Sequence, residues 1–164
     1  MSDAPRKSLY SVDTSVLMEW QFRAYPTDIF ATLNRKVDEL IAENRFLSPE
    51  LVEEELGIVG TPEIAAWAKA RAAMFVPLAE VLVEAQAIQG RFPGLRDPKA
   101  EFEEADAYVI ALAKLRDGVV VTQETSAAEK KNPKRTHFIP DVCRELGLPC
   151  ISFLGLMRRE GWKL

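Results

Sequence analysis

Four acidic residues, Asp13, Glu55, Asp106 and Glu124, stand where a fold of this pattern can gather them. Asp13 closes the run Leu9-Tyr10-Ser11-Val12, whose apolar and β-forming residues predict a short strand. Glu124 follows Gly118-Val119-Val120-Val121-Thr122, a continuous β-branched run of the kind that fills a central parallel strand buried on both faces. Glu55 shares a helix face with Leu51 and Val52, and Asp106 falls in the stripe Phe102, Val109, Ile110, Ala113. An acid on the apolar side of a helix is costly unless it is paired or metal-bound. Singly, each has a plainer explanation: Asp13 as the cap of the next helix, and much of the glutamate run 50–55 as a solvated face. The recurrence of acids at equivalent places shifts the reading.

Carboxylates converging on one cleft repel, and two sharing a site usually force one to stay protonated. A divalent cation removes that conflict, and hard oxygen donors select Mg2+ or Mn2+ over zinc. One or two such ions polarise a phosphodiester, lower the pKa of an attacking water and steady the leaving oxygen. The chemistry these residues would do is metal-dependent phosphodiester hydrolysis, with neither a serine nucleophile nor a histidine base.

The elements that must position them alternate between strand and helix. A short helix is expected over residues 16–20, and an amphipathic one over 29–44 with Ile29, Leu33, Val37, Leu40 and Ile41 inward. Residues 45–49 predict a strand running into a helix with Ser48 at its cap and Pro49 at its first position. That helix should span residues 50–56 and stop at Gly57. Two more helices are expected over 63–75 and 77–89, broken at Pro77. Asp97-Pro98 should open a helix carrying Asp106 and ending near Gly118. Ile139-Pro140-Asp141 starts a helix stopped by Gly147, residues 148–153 form a last strand, and 154–159 a last helix. Alternation of this kind predicts a three-layer α/β/α fold: a central, mostly parallel sheet of about four to five strands flanked by helices. Ligands in such sheets bind beyond the carboxyl ends of the strands, where Asp13 and Glu124 belong.

At 164 residues the chain reads as one domain, 1–164, with residues 1–7 a polar arm. The arm lacks the apolar core of a secretory signal, and no apolar run approaches membrane-spanning length, so a cytoplasmic location is expected. Cys143 and Cys150 form neither a disulfide framework nor a zinc spacing and should be reduced and mostly buried. The single histidine, His137, excludes a histidine-rich metal site. A net charge of −4 argues against a protein that coats nucleic acid by charge alone, but not against a nuclease whose acids are neutralised by metal. No Gly-x-Gly-x-x-Gly or Walker A sequence is present, so nucleotide binding of those kinds has no support. The run 130–135, with Arg158, Arg159 and Lys163, suits RNA phosphates or simply a solvated face. Trp20, Phe22 and Tyr25 have the chemistry to stack on bases, though core packing explains them as well.

Taken in order, Val12-Asp13-Thr14-Ser15, Ser48-Pro49 leading to Glu55-Leu56, the helix Ala105-Asp106-Ala107-Tyr108-Val109-Ile110-Ala111-Leu112-Ala113, and Val121-Thr122-Gln123-Glu124 resemble the ordered signature of PIN-domain ribonucleases. That family includes the VapC-type toxins of toxin–antitoxin pairs, and the resemblance covers nearly the whole chain. It implies a parallel sheet between helices and acids that bind Mg2+ or Mn2+ for endonucleolytic RNA cleavage. By resemblance Asp13 matches the first-strand aspartate, Glu55 the glutamate before leucine, and Asp106 the aspartate opening the alanine-rich helix. Glu124 departs from the family, which typically has aspartate there; the longer arm would shift the metal or leave a water between. Thr122 would orient the acid or a metal-bound water, Glu54 is the substitute if the helix phase is one residue off, and Asp141 reads more as a helix cap than as a ligand. The resemblance also implies an antitoxin partner and a homodimer, for which the apolar helices between Glu63 and Gln89 offer a surface. Other readings open at this point are a nuclease of RNA processing or DNA repair, and a PIN-like module that binds without cutting.

Overall fold

The computed structural model describes residues 6–164, so most of the polar arm, residues 1–5, lies outside the described residues. Five strands form one sheet: β1 (Tyr10–Val12), β2 (Phe46–Pro49), β3 (Phe75–Val76), β4 (Val119–Val121) and β5 (Cys150–Ile151). Their order is β3-β2-β1-β4-β5 and every pairing is parallel. The chain steps outward through β1, β2 and β3, then returns to lay β4 on the other side of β1. The β1–β4 junction, in register from Tyr10 opposite Val119 to Val12 opposite Val121, is therefore the topological switch point.

Helices flank the sheet: α1 (Thr14–Met18), α2 (Ala31–Ala42), α3 (Glu50–Val59), α4 (Pro62–Lys69), α5 (Leu78–Arg91), α6 (Asp106–Arg116), α7 (Ile139–Leu146) and α8 (Phe153–Arg159). This is the expected three-layer α/β/α arrangement, with a sheet that is parallel throughout. A π-helical turn, Glu19–Ala24, prolongs α1. The three valines of β4 are buried, as a strand covered on both faces requires. Helix α6 is buried from Asp106 to Ala113. Two buried serines fasten the centre without an orphaned hydroxyl: Ser11 donates to the Val109 carbonyl of α6 (2.6 Å), and Ser48 to the Val12 carbonyl (2.7 Å). Among the described residues no helix is long and apolar enough to cross a membrane.

Several boundaries differ from expectation. Ile29 is 70% exposed and precedes α2, whose inward residues are Leu33, Val37 and Leu40. Ser48 belongs to β2 and Pro49 is the cap of α3, because the Ser48 hydroxyl is used between strands. Helix α3 runs through Gly57, which meets nothing at its Cβ position, and stops at Gly60. The segment expected as helix to residue 75 contains β3, too short to show a period. Asp97-Pro98 does not open α6. That helix begins at Asp106 itself, and Phe102 lies outside it, partly exposed. Gly147 ends α7 as expected, with φ of 70°, a conformation glycine takes without strain.

Candidate metal centre

Asp13 leaves β1 at its carboxyl end and is buried. Its Oδ2 accepts two hydroxyl hydrogen bonds, from Ser15 (2.7 Å) and Thr122 (3.1 Å). Both hydroxyls are themselves fixed by backbone amides of the segment after β4: Gln123 N–H donates to Ser15 Oγ (3.0 Å) and Glu124 N–H to Thr122 Oγ1 (3.1 Å). The ends of the two central strands are thus laced together around one carboxylate.

Glu55 joins from α3. Its Oε1 accepts from the Thr14 hydroxyl (3.1 Å), next to Asp13, and from the Ala105 amide (3.2 Å), next to Asp106. One glutamate therefore ties the end of β1 to the start of α6. Asp106 and Glu124 are bridged by Arg135, whose Nη1 donates to Asp106 Oδ2 (2.9 Å) and Nη2 to Glu124 Oε1 (3.2 Å). Glu124 Oε2 also accepts from the Ile139 amide at the start of α7 (3.1 Å). Asp13, Glu55, Asp106 and Glu124, more than a hundred residues apart at the extremes, are linked into one hydrogen-bonded network at the switch point.

Electrostatics agree with that proximity. Burial pushes Asp106 well above the usual carboxylate range, and the charges of Glu124 and Asp13 push it further against the pull of Arg135. Burial raises Asp13, with the Ser15 and Thr122 hydroxyls opposing. Burial, then the Asp13 charge, pushes Glu55 up to about 7. Burial, then Asp13, raises Glu124, with the Ile139 amide and Arg135 opposing. Each acid is held where it favours a proton or a cation.

The donor set is all oxygen and anionic, which fits a hard divalent cation such as Mg2+ or Mn2+ and not zinc. A cation already stands among these donors, as the guanidinium of Arg135. Among the described residues, no three His, Cys, Asp or Glu side chains form a ready ligand set. With Arg135 between Asp106 and Glu124, two of the four carboxylates turn to it. The residues fit the ion in chemistry, and Asp13, Asp106 and Glu124, with Glu55 beside them, are those that would hold it.

The secondary candidates separate. Thr122 touches Asp13 directly. Glu54 is exposed on the far side of α3. Asp141 is committed to capping, its Oδ2 accepting from the amides of Phe138 and Ala127 (2.9 Å each); it stands at the third position of α7 rather than at the cap itself. Trp20 is fully buried and Tyr25 packs on Phe30 and Phe153, so both serve the core; the side chain of Phe22 lies outside the described residues. His137 pairs with Glu145 at the surface. Both cysteines are free thiols, Cys143 buried and Cys150 half-buried. Arg135 and Ser15 are the residues of the candidate site that the sequence did not single out. Nothing marks Arg135 within its basic run except the need of four buried acids for a counter-charge.

A cleft of about 340 Å³ lined by Thr122, Glu124, Glu129, Pro140, Cys150 and Ser152 borders the pocket along β4 and β5. A larger cleft, about 400 Å³, lies at the opposite end of the sheet among Lys7, Lys36, Glu39, Arg45 and Trp162. Size alone does not find the acids; their chemistry does.

Fold and site together define an all-parallel α/β protein with a buried acidic cluster at its topological switch point. The chain belongs to the family described as Domain of unknown function (DUF4411), which it matches over residues 10–164. No curated protein and no solved structure matches it.

Proposed function

We propose that the protein is a cytoplasmic, metal-dependent endoribonuclease that hydrolyses RNA phosphodiester bonds with Mg2+ or Mn2+. The observation that carries this reading is the gathering of Asp13, Glu55, Asp106 and Glu124 at the β1–β4 junction, each with its carboxylate pushed up. When bound, the ion supplies a Lewis acid for the phosphate and an acidified water.

The chain's own residues do the rest. Thr122 and Ser15 fix the rotamer of Asp13, so that one carboxylate is aimed before anything binds. Glu55 holds the start of α6 against the end of β1 and so sets the position of Asp106 relative to Asp13. Glu124 is aimed by the Ile139 amide, which fixes its longer arm. The exposed cations Lys131 and Lys134 stand in the segment that leads to Arg135 and offer contacts for the phosphate backbone.

Within this reading the protein acts as the toxin of a toxin–antitoxin pair, with an antitoxin protein as partner and a homodimer as its assembly. The exposed Val83 on α5 lies within the helices that would meet a second copy. A second reading, a PIN-like binding module without cleavage, draws on the way Arg135 already neutralises Asp106 and Glu124. Purified protein with Mn2+ and labelled RNA, with DNA as the control, separates them. Cleavage of RNA that is lost in Asp13→Asn and Asp106→Asn supports the ribonuclease. Cleavage of DNA alone points to a repair nuclease, and absence of cleavage together with absence of Mn2+ binding supports the binding module.

A further inference from the structure

Arg135 is the counter-charge of the acid pocket, yet it is held there in an unusual way. Its side chain is 12% exposed and donates to the Leu95 carbonyl (2.8 Å), Asp106 (2.9 Å) and Glu124 (3.2 Å), with Glu104 at 3.8 Å. The guanidinium lies over the Phe138 ring, 4.4 Å from its centre. The segment that carries it, residues 130–138, has neither helix nor strand. Among the described residues, no backbone N–H from 131 to 136 donates to a main-chain carbonyl. The segment is pinned at its ends, where the Lys130 amide donates to the Ala127 carbonyl (3.2 Å) and the His137 amide to the Gly94 carbonyl (3.3 Å), and between those ends Arg135 is the side chain that reaches the acids; a stretch without a main-chain ladder opens at low cost.

The guanidinium holds Asp106 and Glu124, two of the carboxylates a divalent cation would draw on. A metal on Asp106 would stand close to the guanidinium that Oδ2 now accepts from, and the two cations would repel. One guanidinium reaches two of the four carboxylates, Asp106 and Glu124, and leaves Asp13 and Glu55 to hydroxyls and amides. A doubly charged ion satisfies them better.

Resting on the reading of this site as a metal site, we infer that Arg135 is a built-in competitor of the divalent cation: metal binding expels its guanidinium from Asp106 and Glu124 and releases the basic segment 131–136. The expelled arginine joins Lys131 and Lys134 on the released segment, so metal loading and exposure of the basic strip to phosphate become one event. The pocket is closed by its own chain when the ion is scarce.

Two measurements with Mn2+ alone test this. Calorimetric titration should show Arg135→Gln binding Mn2+ about tenfold or more tightly than the wild type, because the fraction of molecules with a closed site no longer subtracts from affinity. Hydrogen exchange of the wild-type chain should show the amide of His137, which is bonded to the Gly94 carbonyl, exchanging faster when Mn2+ is added, while β1 and α6 exchange more slowly. The second measurement needs no variant and stands even where Arg135→Gln does not fold. Equal or weaker Mn2+ binding by the variant, or a segment that gains protection with Mn2+, overturns the competitor while leaving the metal site in place. Absence of Mn2+ binding by both proteins overturns the metal site itself, and the competitor with it.

Discussion

Arginine meets carboxylates at both ends of this sheet, in opposite proportion. At the amino ends of the strands, Arg45 donates to both oxygens of Glu160 (2.7 and 2.8 Å) and to Glu43 (3.0 Å), and Lys7 approaches Glu43 (3.7 Å). Two cations serve two acids, the Tyr10 hydroxyl also donates to Glu160, and the hydrogen bond from Arg45 holds Glu43 below the usual carboxylate range. At the carboxyl ends, one arginine serves Asp106 and Glu124 while Asp13 and Glu55 meet only hydroxyls and amides, and all four acids are pushed up. A balanced network is a structural joint. An unbalanced, buried one leaves demand for positive charge unmet, which is the pattern of a candidate functional site.

The contrast can be broken most sharply at the acids. Asp13→Asn and Asp106→Asn are expected to lower RNA cleavage by more than about 100-fold, beyond what supporting residues contribute. Rates at saturating Mn2+ check this, and a variant that keeps wild-type cleavage would remove the residue from the site. Next in size, Thr122→Val should weaken Mn2+ binding by about 10-fold, because Asp13 loses the hydroxyl that aims it. Titration calorimetry reads this directly, and circular dichroism should show an unchanged fold.

The amino-end joint predicts the converse. Glu160→Gln should cost roughly 2 kcal/mol in urea unfolding by leaving Arg45 underpaired, while RNA cleavage at 25 °C stays within about twofold. Loss of cleavage in that folded variant would mean that the two ends are not separate in function.

The smallest effect concerns pH. Glu55 binds its proton more tightly in the fold, about 7 against the ordinary 4.5, so its ionisation opposes folding. The stability linked to that proton is complete below about 4.5 and is lost as pH rises through about 7. Glu55→Gln, which keeps an oxygen for Thr14 and Ala105, should therefore match the wild type near pH 4 and exceed it by on the order of 1 kcal/mol at pH 8, after allowance for solvent screening. Metal-free unfolding curves at the two pH values check this. A wild type that gains on the variant with rising pH would contradict the charge imbalance.

Much of this was legible in the chain. The β4 valines and the Leu9-to-Asp13 run mark the two central strands because buried parallel strands are written as continuous apolar residues. The phase of α3 distinguishes Glu55 from Glu54 because Leu51, Val52 and Leu56 fix which side is inward. Strand β3 was hidden because Phe75-Val76 is two residues long and abuts a helical pattern. The start of α6 was misplaced because Asp97-Pro98 carries a good helix-start signal that the irregular stretch after it does not use. Arg135 was not legible because the run 130–135 has four cations of equal promise, and only tertiary contact with Asp106, Glu124 and Phe138 selects one.

The central claim is that Asp13, Asp106 and Glu124 hold one divalent cation at the β1–β4 junction. A crystal soaked in Mn2+ tests it most directly, through anomalous scattering. The account predicts a peak bonded to oxygens of Asp13 and Asp106, with the Arg135 guanidinium withdrawn. A peak elsewhere on the surface, or none, with Arg135 still joining Asp106 to Glu124 would contradict it.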